Sequence, residues 1–195
     1  MADPEIPTLE TERLRLRPLR DNDLDDYAAL CADEEVARFL LRGTFSREQS
    51  WRVLAFQMGH WTLRGCGMWA VEEKETGAFA GQIGFADPVG WPGFELAWTL
   101  ARRFWGRGYA TEGALAALAH AFTVLDKERV ISLIHPENHA SRRVAERLGE
   151  SPQGRTELQG KERLIYGIDR HDAPLWHRMA GCLKPYSAPS PPPVT

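Results

Sequence analysis

The segment Arg103-Phe-Trp-Gly-Arg-Gly-Tyr-Ala110 stands between an apolar stretch ending at Leu100 and a long helical pattern beginning at Tyr109. Glycines reach backbone geometries closed to other residues, and the first N–H groups of a helix have no partner inside it. A strand–glycine turn–helix corner therefore presents a row of donors to an anion. The helix dipole adds up to ~2 kcal/mol at such a site. A Walker loop needs Gly-Lys-Ser/Thr, which is absent, and a dinucleotide fingerprint needs a third glycine where Thr111 stands. What remains, Arg103-x-x-Gly106-x-Gly108-x-Ala110, is either an anion corner of another kind or simply a tight turn.

The pattern around this corner reads as α+β: a mixed, mostly antiparallel central sheet flanked by helices. Arg13 to Leu19 alternates charged and apolar residues as a half-buried strand does. Asp21-Asn-Asp supplies capping side chains before a helical run through Leu24, Tyr27, Ala28 and Leu30. Ser46, with Glu48 and Gln49, opens a second helix whose expected core stripe is Trp51, Leu54, Ala55, Met58 and Trp61, closed by Gly65 and Gly67. Met68–Val71, Ala78–Ala86 and Phe94–Leu100 read as three consecutive antiparallel strands. Tyr109 to Leu125 is helical, with a stripe of small residues suited to close packing on a sheet. Val130–Ile134 is a buried strand, Ala140–Leu148 a short helix ended by Gly149, and the last strand signals lie in Leu158–Ile168.

At 195 residues with 43% hydrophobic content, the chain suits one domain, 1–186, followed by a Pro-rich tail, 187–195, that is expected to be disordered. A formal charge of -3 gives no reason to expect a nucleic-acid or anionic-membrane partner. No stretch approaches the roughly 20 apolar residues of a membrane span, and no signal peptide is evident, so a cytoplasmic protein is expected. Cys31, Cys66 and Cys182 are odd in number and widely spaced, which fits reduced structural thiols. His135 and His139 lack neighbours that would complete a tetrahedral set, so no metal site is expected.

Arg103, Gly106 and Gly108, followed by Tyr109-Ala-Thr-Glu112, occupy the positions of a Q/R-x-x-G-x-G/A signature. With Thr11-Glu-Arg-Leu-Arg-Leu-Arg-Pro-Leu19, Asn138-x-x-Ser141 and Leu148-Gly149, they make the chain resemble the GNAT acyltransferase superfamily, nearest its RimJ/RimL-like ribosomal-protein N-terminal acetyltransferase branch. The resemblance covers all but the two ends. It implies acetyl-CoA as acyl-donor co-substrate, held by the backbone N–H groups from Phe104 through Trp105, Gly106, Arg107, Gly108 and Tyr109 to Ala110, with Arg103 and Arg107 adding positive charge. It also implies that Trp98, Thr99 and Leu100 pair with the pantetheine amides as a neighbouring strand would.

Acetyl transfer to an amine needs a base and a way for the thiolate to leave. Glu95, at the start of the strand that runs into the corner, is the best-placed carboxylate, since some relatives use an acid there. Its alternative is a charge on an exposed strand face. The resemblance places Asn138 against the pantetheine or an ordered water and Ser141 near the sulfur, although helix capping also accounts for both. The tyrosine that many relatives carry seven residues after this Asn is Ala145, which rules out tyrosine acid catalysis at that position. Either Ser141 assists the thiolate or it leaves with little help. The usual Leu-Gly-Phe ending is also altered, to Leu148-Gly149-Glu150.

Two functions follow from these residues. One is an N-acetyltransferase in which a primary amine, of a protein N-terminus or a small molecule, attacks directly in a ternary complex. The other is a non-catalytic acyl-CoA-binding or regulatory module. The resemblance implies that residues 36–67 choose the acceptor, and there Arg38, Arg42, Arg47, Arg52 and Arg64 stand against only Glu48, a balance that disfavours cationic acceptors. His60 is a further acceptor-side candidate. Monomer and homodimer are both open, with 173–186 a candidate contact.

Overall fold

The computed structural model describes residues 6–172, so Cys182, the candidate contact at 173–186 and the tail lie outside the described residues. Eight strands form one sheet: β1 (Leu9–Glu10), β2 (Leu14–Arg17), β3 (Met68–Glu73), β4 (Phe79–Ala86), β5 (Glu95–Leu100), β6 (Arg129–Ile134), β7 (Ser151–Leu158) and β8 (Lys161–Asp169). Their spatial order is β1-β2-β3-β4-β5-β6-β8-β7, and every neighbouring pair is antiparallel except β5 with β6. The helices are α1 (Leu24–Ala32), α2 (Glu34–Ala37), α3 (Arg47–Arg64), α4 (Tyr109–Thr123) and α5 (His139–Leu148). This is the expected α+β architecture.

Alternation along the strands divides the core between two faces. Leu16, Trp69, Val71, Ile83 and Leu96 pack under α4, whose Ala114, Ala117 and Ala121 bring it close to the sheet. A Cβ at Gly113 of α4 would lie 2.5 Å from the Ile83 side chain, so only glycine allows that approach. Met68, Ala70 and Phe79 point to the other face, where they meet Leu24, Tyr27 and Leu30 of α1 and Leu54 of α3. No helix among the described residues is long and apolar enough to cross a membrane.

Three local expectations need correction. The buried residues of α3 are Ser50, Leu54, His60 and Trp61, while Trp51 and Met58 are 52% and 42% exposed and Ala55 is exposed as well. The buried face runs 50-54-61, and Trp51, Ala55 and Met58 lie one residue, or about 100°, further round the helix. Asp23 does not cap α1. Its carboxylate takes both terminal nitrogens of Arg17, at 2.8 and 2.7 Å, and the Arg20 N–H. The strand β7 carries no alternation because it is an exposed sheet edge, and it turns into β8 through Gln159 and Gly160, both at positive φ.

His120 in α4 is buried edge-on against the Trp69 ring, and burial pushes its pKa down to about 4. The fold holds the uncharged ring, so this contribution is complete above the ordinary histidine pKa of about 6.5 and is lost as pH falls from there toward 4. Between pH 7 and 5 it amounts to about 2 kcal/mol. Urea unfolding at the two pH values should show the wild type losing that much more stability than His120→Phe, which keeps a ring against Trp69.

Candidate active site

Leu100 leads through a single 3₁₀ turn, Arg102–Phe104, into Gly106 and Gly108, which adopt φ of +74° and +80°. A side chain at Gly106 would meet nothing within 4 Å, so the glycines are required by backbone geometry rather than by space. Gly108 is the N-cap of α4 and offers no side-chain acceptor, which leaves the first N–H groups of the helix turned outward. Phe104 and Tyr109 are buried and stacked beneath the turn, and Trp105 is half-exposed.

The charged side chains at this corner brace it. Glu73 accepts hydrogen bonds from the Tyr109 hydroxyl at 2.6 Å, the Thr76 hydroxyl at 2.7 Å and Arg107 at 3.1 Å. These partners, Tyr109 foremost, hold its carboxyl below the usual range. Arg103 donates to the Phe79 carbonyl at 3.1 Å. Arg13 donates through Nη1 to the Arg107 carbonyl at 2.9 Å and through Nε to Glu112 at 2.7 Å, and Glu112 also takes the Thr11 hydroxyl. Burial pushes the Glu112 carboxyl up, and these donors outweigh it and hold it low. The N-terminal strand segment thus clamps the glycine turn, a contact between distant stretches that carries no local sequence signal.

Beside the turn, β5 and β6 form a fork. Their register contains the single pair Glu95↔Ile131. The Ile131 N–H reaches the Phe94 carbonyl, and the next bond of a regular parallel ladder would join the Leu133 N–H to the Leu96 carbonyl. Side chains take over there: the Glu95 carboxylate feels the pull of the Leu133 N–H, and the Ser132 hydroxyl lies 2.9 Å from the Leu96 carbonyl. Because Ala101 donates to the Ala80 carbonyl, alternation turns the backbone of Thr99 toward β4 and those of Trp98 and Leu100 toward the fork. The strand-like pairing expected across Trp98–Leu100 thus narrows to Trp98 and Leu100, and the Leu100 carbonyl is already met by the Trp105 indole at 2.7 Å.

Glu95 is not the exposed charge that strand alternation allowed. It is 8% exposed, on the face that carries α1 to α3, and takes the Trp91 indole N–H at 2.6 Å. Burial pushes its pKa up to about 7, against the pull of Trp91, Leu133 and Arg163. A carboxylate poised near neutrality in a strand fork is suited to accept a proton.

Asn138 caps α5 by accepting the Ser141 N–H at 3.1 Å, and the Ser141 hydroxyl lies 3.3 Å from the Trp98 indole nitrogen. Ser141 therefore stands beside Trp98 of β5, and Asn138 serves the helix. Ala145 is fully buried against Ile134 and Tyr166 of β8, whose hydroxyl accepts from Arg142 at 3.1 Å. His60 is a strut between α3 and the β4–β5 loop: its Nδ1 lies 2.6 Å from the Cys66 carbonyl and its Nε2 accepts the Asp87 N–H. Both ring nitrogens are thereby engaged inside the protein, which removes it from the acceptor side. The His135 ring accepts the Glu137 N–H locally. Sequence reasoning missed Trp91, Ser132, Glu73 and Arg13 as site residues, and saw Glu150 only as a polar residue where an aromatic was usual.

The family model described as "Acetyltransferase (GNAT) domain" matches residues 13–150. The chain is 32% identical over 143 residues to the uncharacterized protein YkkB of Bacillus subtilis, across 72% of this chain and 83% of that protein. It is 29% identical to the uncharacterized N-acetyltransferase p20 of Bacillus licheniformis, across 82% and 92%. Among solved structures, an acetyltransferase from Agrobacterium tumefaciens superposes with a TM-score of 0.77 at 33% identity, covering 85% of this chain and 96% of that one. Mycobacterium smegmatis RimJ in complex with CoA-disulfide shares the fold at 19% identity, with a TM-score of 0.75 over 93% and 97%. A glycine turn feeding a helix beside a strand fork is thus accompanied by sequence relationship along most of its length, and the chain belongs to the GNAT acetyltransferase family, whose members are acetyl-CoA-dependent acyltransferases.

Proposed function

We propose that the protein moves an acetyl group from acetyl-CoA to a primary amine by direct attack, with Glu95 as the base. The observation that carries this reading is Glu95 itself: a buried carboxylate at the end of a strand fork, its pKa raised to about 7. The glycine turn fits the CoA pyrophosphate, since left-handed Gly106 and Gly108 and an uncapped helix start leave backbone N–H groups as its donors. Bound there, acetyl-CoA supplies the thioester, while the backbone of Trp98 and the N–H of Leu100 orient the pantetheine arm. An amine at the fork gives its proton to Glu95, directly or through one water, and its nitrogen forms the new bond to the acetyl carbon as the C–S bond breaks. In this reading Ser141, beside the Trp98 indole and positioned by the cap at Asn138, receives the departing thiolate. Without a tyrosine at position 145, a thiolate whose acid has a pKa of about 8.5 leaves with only that help.

Two acceptor classes stay within the proposal. One is a protein N-terminus; a Vibrio cholerae protein titled a putative ribosomal-protein-serine acetyltransferase shares the fold at 19% identity. The other is a small-molecule amine; a relative from Aspergillus fumigatus, 30% identical over 159 residues, is named an FsC-acetyl coenzyme A-N(2)-transacetylase, which supports transfer to nitrogen. The arginines of residues 36–67 disfavour polyamines, so a panel of peptides and small amines assayed by free-thiol release should rank polyamines low. CoA binding without thiol release for any acceptor would overturn the enzymatic reading in favour of a binding module.

Activity should rise with pH through a midpoint near 7 as Glu95 loses its proton. Glu95→Gln should lower kcat/KM by about 10²–10⁴-fold and abolish that limb, as measured in pH–rate profiles. Gly108→Ala places a side chain at a left-handed position, at a cost of about 1–2 kcal/mol. The empty turn escapes that cost by leaving the left-handed conformation and CoA must restore it, so calorimetric titration should show binding weakened by roughly tenfold, with the fold retained.

A further inference from the structure

Glu150 follows the left-handed Gly149 that ends α5 and is 3% exposed. Its backbone N–H donates to the Ala145 carbonyl, and its Oε1 lies 3.0 Å from the Ser132 hydroxyl oxygen. Its Oε2 is buried with no hydrogen-bond partner. Ser132 has a single proton and the Leu96 carbonyl at 2.9 Å can only accept, so both contacts are hydrogen bonds at once only when the Ser132 proton lies toward Leu96. The contact between Ser132 and Glu150 then needs a proton from Glu150. A protonated carboxyl also reduces the cost of the orphaned oxygen, since a buried carboxylate missing one partner is far more expensive than a neutral acid.

We propose that Glu150 is a positioning residue for the base: a neutral carboxylic acid that fixes the β5–β6 fork through Ser132 and keeps the pair Glu95–Glu150 at one negative charge. The two carboxyls flank the fork from opposite sides of the sheet, since Glu95 shares a face with Ala97 over α1 to α3 and Ser132 shares one with Val130 under α4. Burial and the Glu95 charge both push Glu150 up, to about 8. On the β8 side, Arg163 is buried, acts on Glu95 and donates to the Phe39 and Glu162 carbonyls. From α5, Arg142 is engaged with the Tyr166 hydroxyl. Once Glu150 ionises it can only accept, so the Ser132 proton turns to it, the Leu96 carbonyl loses its donor, and a second charge is buried beside the first. The arrangement that holds Glu95 then comes apart, which gives the enzyme an alkaline limit set by Glu150.

This inference rests on the reading of Glu95 as the base, and infrared titration separates the two because it needs no turnover. Wild-type protein should show the C=O stretch of a protonated buried carboxyl at pH 7 that disappears with a midpoint near 8. In Glu95→Gln the same band should persist at pH 7 and its midpoint should move down, because the neighbouring charge is gone; in Glu150→Gln the alkaline transition should be absent. In pH–rate profiles normalised to each protein's own maximum, the wild type should fall above about pH 8 and Glu150→Gln should not. A wild-type protein with no such band at pH 7, a midpoint indifferent to Glu95→Gln, or an alkaline fall preserved in Glu150→Gln would each overturn the proposal.

Discussion

Beyond the pair Glu95↔Ile131, β5 and β6 are parallel neighbours without a backbone ladder, and buried N–H and C=O groups cannot go unpaired. The chain meets that demand with side chains, Ser132 for the Leu96 carbonyl and Trp105 for the Leu100 carbonyl, and it brings the Glu95 carboxylate beside the Leu133 N–H. The site depends on this substitution. It opens a strip of strand edge at Trp98 and Leu100, and it draws a carboxylate into the sheet, where loss of water moves its proton affinity toward neutrality. Structural need and the proposed chemical use coincide in the same side chain.

The glycine corner depends on long-range support of another kind. Two left-handed glycines separated by one residue are conformationally free in the unfolded chain, so something must hold them. Arg13 grips the Arg107 carbonyl and Glu112, and Glu73 grips Tyr109 and Arg107. Arg107, half-exposed and already paired with Glu73, is as much a brace as a source of positive charge. The Thr11–Leu19 stretch and the glycine turn, far apart in sequence, are one mechanical unit.

What was legible in the sequence was what is written locally. The strand–turn–helix around Gly106 and Gly108, the consecutive antiparallel strands β3 to β5 and the α5 cap at Asn138 each carry their own periodicity or turn residues. The stripe on α3 was misplaced because a helix rich in aromatics on several sides offers two apolar arcs, and only tertiary packing chooses between them. The edge strand β7 was missed because, exposed on both sides, it has no alternation to detect. The burial of Glu95 and the link from Glu150 through Ser132 were invisible because each depends on strands that meet only in the fold.

On the proposed mechanism the acetyl group meets its acceptor in the strand fork rather than on the surface around it. A crystal structure with acetyl-CoA bound should then show the pyrophosphate on the N–H groups at the start of α4, the pantetheine arm along Trp98 and Leu100, and the thioester carbon within reach of an amine that touches Glu95 directly or through one water. A thioester lying outside the β5–β6 fork, with Glu95 sealed away from it, would rule that mechanism out.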